Sequence, residues 1–262
     1  MYQLSVLKEI YSYREMIRSL VKRDLRGRYK GSALGFLWTF INPLFQLIIY
    51  TIVFSMIVRA ENIDKFYLFL FVALVPWIFF SSAIVGGATS ILQQKEMVKK
   101  IYFPRQILPI AYVTSSFINM LFSFVIIFAA IIVSGVGVNF LALLCLPIIM
   151  IVEYILALGI ALLSAALTVY FRDLEHILGI ITMAWMYLTP IMYSFDMVPD
   201  NLKHIFNLNP MTPVILAYRD ILYYTRVPNI TTLMHAVILG GVVLVIGSII
   251  FSKLQKNFVE EL

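Results

Sequence analysis

The sequence has little charge and almost no cysteine. Of its 262 residues, 13% are charged and one is a cysteine. Soluble domains carry about 25% charged residues, so this composition argues against a soluble globular protein. Cys145 has no partner for an internal disulfide, and a lone cysteine is a poor metal site. We interpret it as an ordinary packing residue of an apolar segment.

The motifs of common catalytic sites are also missing. The sequence contains no phosphate-binding loop of the form GxxxxGK[ST], so it is not expected to bind ATP in that way. Its loops contain no paired carboxylates, no cluster of metal ligands and no nucleophile elbow. We therefore predict that this chain is not an enzyme, and that it holds neither a metal nor a cofactor. We also expect no binding to nucleic acid.

Long apolar runs dominate the sequence instead, and 61% of the residues are apolar. A bilayer core about 30 Å thick requires roughly 20 apolar residues per spanning helix. We predict an all-α integral membrane protein with a single transmembrane domain over residues 1–262. We predict six membrane-spanning helices, at about residues 34–58, 67–92, 107–134, 140–171, 176–194 and 230–252.

The basic residues predict the orientation. Most of the 20 Lys and Arg residues lie before residue 34, in the 93–106 loop, in the 172–175 turn or after residue 252. Cytoplasmic segments carry the excess of positive charge, so both termini are predicted to be cytoplasmic. The charged start does not resemble a cleavable signal peptide, and the first span is expected to act as the insertion signal. The remaining basic residues are Arg59, Lys65, Lys203, Arg219 and Arg226.

Residues 10–30 show the pattern of an amphipathic helix. Apolar residues such as Tyr13, Ile17 and Leu20 follow helical spacing, and basic residues recur every fourth position. Such a helix lies in the membrane interface with its apolar face toward lipid and its cations near phosphate groups. Two roles remain open. The cations hold the N-terminus inside, or they also meet an anionic lipid-linked headgroup or a cytoplasmic partner.

Two loops are too apolar for simple connections. The 93–106 loop mixes basic residues with apolar ones, which indicates either docking onto a partner or a half-buried interfacial turn. Residues 195–229 are predicted to form short re-entrant helices that dip into the outer leaflet and pack on protein. That segment could gate the outer end of a path or form a static cover.

Polar and aromatic residues within the spans give further candidates. Glu153 lies mid-span, where a carboxylate is rare. Because few other titratable groups accompany it, a hydrogen bond to a neighbouring helix or a place at a subunit contact is favoured over a proton relay. The aromatic candidates either pack and form the interfacial belt, or they stack against sugar rings. They are Trp38, Trp77, Phe80, Trp185, Tyr187 and Tyr193.

Four segments carry a family resemblance. They are VKRDLRGRYKGS (21–32) with LGFLW (34–38) and Asn42-Pro43, VKKIYFPR (98–105) with ILP (107–109), YFRDL (170–174) with LTPIMY (188–193), and NPMT (209–212) with Tyr218-Arg219. In this order the chain resembles the membrane subunit of type-2 ATP-binding-cassette (ABC) exporters. The branch it resembles exports lipid-linked O-antigen, capsular polysaccharide or wall teichoic acid, and VKKIYFPR leans towards the teichoic-acid members.

The resemblance implies a half-transporter in the bacterial cytoplasmic membrane. Two copies of the chain would form the pore, and two copies of a separate ABC ATPase would bind ATP and magnesium. The cargo would be an undecaprenyl-linked or similar lipid-linked glycan among membrane lipids. Its headgroup would meet Arg23, Arg26, Arg28 and Lys30, and the glycan would pass the six aromatic candidates. The ATPase would contact Lys95, Lys99, Lys100, Tyr102, Phe103, Arg105, Arg172 and Asp173.

Two other functions remain open. The same architecture could export a drug, haem or a simple lipid. A membrane enzyme, such as a lipid-sugar transferase, would need an acidic or histidine cluster in a loop, and the short turns leave little room for one.

Overall fold

The computed structural model describes residues 8–28, 30–54 and 63–262, with only the backbone of residue 259. Every regular element in these ranges is a helix. The last part of the predicted first span, 55–58, and the predicted loop residue Arg59 lie outside the described residues. The all-α prediction is therefore confirmed for the described part of the chain.

The helices alternate between long apolar segments and short connecting ones. A short 3-10 turn at Gly35–Leu37 leads into α2, and another at Gln255–Asn257 follows α11. The helices are α1 Arg14–Gly27, α2 Trp38–Ile52, α3 Phe66–Thr89, α4 Lys95–Lys100, α5 Ile107–Ser134, α6 Phe140–Leu143, α7 Leu146–Tyr170, α8 Leu174–Tyr187, α9 Asp200–Leu208, α10 Met211–Leu222, α11 Ile230–Leu254 and α12 Phe258–Glu261.

Among the described residues, five segments are long and apolar enough to cross a membrane. They are Gly35–Ile52, Phe66–Thr89, Ile107–Ser134, Phe140–Tyr170 and Ile230–Asn257. The fifth predicted span, 176–194, differs, because α8 ends at Tyr187 after 14 residues. A helix of that length is about 21 Å long, shorter than the bilayer core. Pro190 follows closely, and a helix usually ends before the residue that precedes a proline.

Helix α3 forms the centre of the bundle. It is buried along most of its length and packs against α2, α5, α7, α8 and α10. Helix α11 packs along α7, while much of its other surface is exposed. A helix that is apolar on all sides belongs in a protein core or in a membrane span, and α3 lies in the core of this bundle.

The crossing of α7 and α11 depends on glycine. A Cβ added to Gly159 would lie 2.6 Å from the backbone nitrogen of Leu244. A Cβ added to Gly247 would overlap the carbonyl oxygen of Gly159. Small residues let membrane helices approach until their backbones touch. These two glycines therefore set the spacing of α7 and α11.

Hydrogen bonds between connections define the two ends of the bundle. At one end, Asn139 Nδ2 donates to the Thr225 carbonyl (3.1 Å), and the Tyr223 hydroxyl donates to the Asp64 carbonyl. At the other end, the Tyr170 hydroxyl donates to the Leu254 carbonyl (2.9 Å). The chain therefore changes ends between residues 170 and 225, through α8, α9 and α10.

Helix α1 lies against the bundle, and its apolar face is covered by protein. Leu20 and Val21 are buried, and Ile17 and Leu25 pack on the same cluster. The contact is made largely with α5. We predicted that this face enters lipid. That prediction is wrong about what covers the apolar face of α1, because amphipathic spacing shows which face is apolar but not which surface packs against it.

Candidate functional site

A polar cavity lies inside the apolar bundle, between α2, α3, α5 and α8. Its volume is about 460 Å³. Polar side chains within membrane helices are rare and tend to face bundle interiors or water-filled spaces. A cavity lined by them is therefore a candidate binding site. The polar lining residues are Arg28, Thr39, Asn42, Ser81, Ser82, Ser116, Asn119, Ser123 and Thr182.

Hydrogen bonds across the cavity wall connect α2 to α5. Thr39 Oγ1 donates to Asn119 Oδ1 (3.1 Å), and Ser123 Oγ donates to the Thr39 carbonyl (3.3 Å). Hydroxyl and amide side chains commonly join membrane helices in this way. The same groups that line the cavity therefore also hold its wall together.

Arg28 supplies the positive charge of the cavity. It follows α1, and its Nε lies 3.1 Å from Asp24 Oδ2. Its Nη2 donates to Ser116 Oγ (2.8 Å), and its guanidinium lies 5.2 Å from the centroid of the Tyr112 ring. A guanidinium has five donors, more than Asp24 and the serines can use. Arg28 is thus held in place and keeps donor capacity for an anion.

The other predicted headgroup cations do not reach this cavity. Arg23 lines a small separate pocket, and Arg26 and Lys30 are exposed on the surface. A groove of about 730 Å³ lies between α1 and α5 and is lined by Arg18 and Lys22, which we had not selected. Their four-residue spacing placed both on one helix face, and that signal could have identified them.

The predicted glycan-path aromatics divide into two groups. Trp77 and Phe80 are 4% and 0% exposed and lie in the core. Phe80 packs edge to face against Trp185, with ring centroids 5.2 Å apart. Trp38 lines the polar cavity, and its Nε1 donates to Ser32 Oγ (3.0 Å).

The two tyrosines of that set lie near the end of α8. Tyr187 is exposed, and its backbone carbonyl accepts a hydrogen bond from the Tyr193 hydroxyl (2.7 Å). Of the six aromatic candidates, Trp38 alone is among the residues that line the cavity.

Glu153 is buried completely and binds a neighbouring helix. Its Oε2 accepts a hydrogen bond from the Tyr218 hydroxyl of α10 (2.6 Å), while Oε1 has no partner in the described part of the chain. Glu153 thus forms a buried hydrogen bond between α7 and α10. Over the same residues, no three His, Cys, Asp or Glu side chains come together as metal ligands would.

Arg219 is a buried cation that we did not predict. It is 1% exposed, and its guanidinium lies 3.5 Å from the centroid of the Phe69 ring. It donates to the carbonyls of Pro190 (2.5 Å), Ile191 (2.6 Å) and Tyr193 (3.2 Å). Arg219 therefore fixes the segment after α8 onto α10. In the sequence, Arg219 reads only as one of the basic residues outside the predicted cytoplasmic segments.

Asn209 organises the turn between α9 and α10. Its Oδ1 accepts from Trp185 Nε1 (2.9 Å) and from the Met211 amide (3.0 Å), and its Nδ2 donates to Thr189 Oγ1 (2.9 Å). At the start of α9, Lys203 donates to Asp200 (2.7 Å) and lowers the pKa of that carboxyl. The 195–229 segment thus consists of short helices tied to the end of α8.

The predicted ATPase-contact residues lie at one end of the bundle. Lys95, Lys99, Lys100, Arg172 and Asp173 are exposed, and Lys100 pairs with Glu96 (3.2 Å). Tyr102 is 86% exposed. Two of the predicted ATPase-contact residues are not freely exposed. Phe103 is buried in the cluster beneath α1, and the Arg105 guanidinium donates to the Gln255 carbonyl.

The comparison with known families agrees with this architecture. The family described as ABC-2 type transporter matches residues 15–223. The chain belongs to the ABC-2 type transporter family. As a member of the family it is a multi-pass protein of the bacterial cytoplasmic membrane, and an ABC ATPase is implied as its partner.

Its relatives within the ABC-2 family cover the whole chain. The O-antigen export system permease protein RfbA of Myxococcus xanthus is 33% identical over 99% of this chain and 100% of its own length. A protein of the same name from Klebsiella pneumoniae is 32% identical over 94% of both chains. The capsule polysaccharide export inner-membrane protein CtrC of Neisseria meningitidis is 22% identical over 98% of this chain and 97% of its own length.

Proposed function

We propose that this ABC-2 family member is the membrane permease of an ATP-driven exporter of a lipid-linked polysaccharide. The single observation that carries the proposal is the polar cavity with Arg28 at its wall, inside an otherwise apolar bundle. Relatives named for O-antigen and capsule polysaccharide export, 33% and 22% identical to this chain, support the same cargo class.

The cavity chemistry suits a glycan joined to lipid through phosphate. Serine, threonine and asparagine side chains offer both donors and acceptors to sugar hydroxyls. Arg28 is the one cation among the lining residues, and a guanidinium binds phosphate oxygens well. A wall of neutral polar and apolar side chains with one cation fits a long uncharged chain that follows an anionic linkage.

The unpartnered apolar faces support a half-transporter. Helix α2 exposes Phe45, Ile48 and Ile49, and α8 exposes Ile180 and Met183. In this proposal two copies of the chain surround the path. Two ABC ATPases, which bind ATP and magnesium, contact the end that carries the 93–106 loop.

Six membrane crossings with both termini cytoplasmic fit the placement of the connections. Residues 64, 139 and 225 share one end of the bundle, and residues 170 and 254 share the other. Since the chain changes ends between residues 170 and 225, α8 and the re-entrant helices α9 and α10 together account for the sixth crossing.

Other cargoes suit the cavity less well. A drug, haem or a simple lipid would favour an apolar lining, whereas most side chains of this cavity wall are polar. Wall teichoic acid stays a prediction of the VKKIYFPR segment, since the named relatives concern O-antigen and capsule. A membrane enzyme is not supported, because these relatives are named as export proteins.

Depletion of the chain in its native cells tests the proposal. We expect lipid-linked polymer to accumulate on the cytoplasmic face and surface polymer to disappear. Arg28→Ala should lower the export rate by about tenfold or more, since a charge-assisted contact to phosphate contributes about 1.5–3 kcal/mol. Arg28→Lys should retain part of the rate because it keeps the charge.

Arg14→Ala is the matched control, because Arg14 is an exposed arginine of the same helix outside the cavity. Export should be close to normal in that variant. Normal surface polymer after depletion, or equal export rates for Arg28→Ala and Arg14→Ala, would contradict the proposed function.

A further inference from the structure

Residues 252–258 connect the two segments that are predicted to contact the ATPase. The Arg105 guanidinium, at the end of the 93–106 loop, donates to the Gln255 carbonyl. The neighbouring Gln106 Nε2 donates to Ser252 Oγ (3.3 Å). On the other side, the Tyr170 hydroxyl at the end of α7 donates to the Leu254 carbonyl (2.9 Å). One short stretch of chain therefore holds both segments.

These bonds are made to backbone carbonyls at the end of α11. The last carbonyls of an α-helix have no partner within the helix, and the helix dipole makes that end negative. Leu254 and Gln255 lie at the end of α11. The Tyr170 hydroxyl donates to the Leu254 carbonyl. The Arg105 guanidinium joins the Phe258 amide as a second donor to the Gln255 carbonyl, where its charge matches the sign of the dipole. The end of α11 is thus built to receive Arg105 and Tyr170.

An apolar contact beneath these bonds reinforces the connection. Phe258 is 0% exposed and packs edge to face against Phe251, with centroids 5.6 Å apart, and against Tyr170, at 6.2 Å. It belongs to the same cluster as Val98 and Phe103 of the 93–106 loop. A displacement of Phe258 would therefore disturb both segments that are predicted to contact the ATPase.

We infer that residues 252–258 position the ATPase-contact surface, with Arg105, Tyr170 and Phe258 as positioning residues. This inference rests on the proposed function. Arg105 is half-buried and donates within the chain, so it orients the loop. The residues that face outward are Ile101, Tyr102 and Phe171, all strongly exposed. A displacement of the 93–106 loop would be transmitted to α11 and α7 through the hydrogen bonds of Arg105 and Tyr170.

Phe258→Ala in the complete exporter, purified with its ABC ATPase into nanodiscs, tests the inference. Because Phe258 is buried, any effect on the ATPase must pass through the surface that it supports. We expect faster hydrogen exchange at residues 95–103 and 170–173 and a several-fold lower rate of ATP hydrolysis. Phe258→Leu should restore most of both, since it returns an apolar side chain. Arg105→Gln and Tyr170→Phe should show the same two changes.

Phe140→Ala is the control, since Phe140 is an exposed phenylalanine at the opposite end of the bundle. The inference is overturned if exchange at 95–103 stays the same in Phe258→Ala. It is also overturned if exchange rises while ATP hydrolysis and ATPase retention stay at the level of the unaltered exporter. Failure of the proposed function looks different, because then surface polymer stays normal after depletion of the chain, whatever Phe258→Ala does to exchange and ATP hydrolysis.

Discussion

Two ionisable side chains, Glu153 and Arg219, are buried in the apolar core. Glu153 accepts a hydrogen bond from Tyr218, and the following residue, Arg219, donates to backbone carbonyls after α8. A buried charged or polar group is costly unless it is hydrogen-bonded. These bonds therefore fix α10 against α7 and against the 190–193 segment.

Tyr218→Phe is expected to destabilise the protein. The change leaves Glu153 buried without its described donor, and an unsatisfied buried group costs about 1–3 kcal/mol. The midpoint of thermal unfolding in detergent should fall by several degrees. Tyr224→Phe, which removes the hydroxyl of an exposed tyrosine near the same end, should leave the midpoint almost unchanged. Equal midpoints for the two variants would show that the bond to Glu153 does not matter for stability.

At the scale of elements, α7 and α11 pack so closely that their backbones touch. Gly159 and Gly247 occupy the crossing, and neither leaves room for a Cβ. Lipid surrounds much of α11, so the two helices are held by close packing rather than by burial from water. Further along the same helix α11, Arg105 and Tyr170 find their acceptors at its end.

Gly247→Ala should separate the two helices and cost about 1–3 kcal/mol, the usual penalty for an overpacked core. Thermal unfolding in detergent measures the loss. Gly241→Ala is a matched control in the same helix, because a Cβ there meets nothing within 4 Å. We expect that variant to be neutral or slightly stabilising, since alanine favours helix more than glycine does. A neutral Gly247→Ala would argue against the close crossing.

At the scale of the whole molecule, the chain passes from one end of the bundle to the other through α8, α9 and α10. Helix α8 has 14 residues, yet the chain before it and the chain after α10 lie at opposite ends of the bundle. The bonds of Arg219 hold the segment after α8 against α10. Irregular backbone at membrane depth is tolerated where protein covers it.

Single cysteines test this topology in a Cys145→Ser background. We expect a membrane-impermeant maleimide to label Leu208→Cys from outside intact cells, since Leu208 is exposed at the end of α9. Tyr102→Cys, at the predicted ATPase-contact end, should be labelled only after permeabilisation. If Leu208→Cys behaves like Tyr102→Cys, α9 does not lie on the outer side and the proposed topology of this segment is wrong. Val138→Cys, exposed in the turn after α5, is the control for the outer side.

The sequence by itself determined the helical class and most span positions. The prediction of 107–134 coincides with α5, Ile107–Ser134, because long apolar runs in lipid must satisfy their backbone internally as helices. The bias of the basic residues predicts that both termini are cytoplasmic, and this stays a prediction. The aromatic candidates were chosen by residue type, which does not separate a buried Trp77 from a cavity-lining Trp38.

Only the tertiary structure decided which side chains meet. It covered the apolar face of α1 with α5, ended α8 early, and placed Arg28 alone of its set at the polar cavity. It also joined Arg105 to Gln255 across 150 residues and buried Arg219 among carbonyls. The physical reason is that periodicity and composition are local, whereas a partner is chosen by packing between segments far apart in the chain.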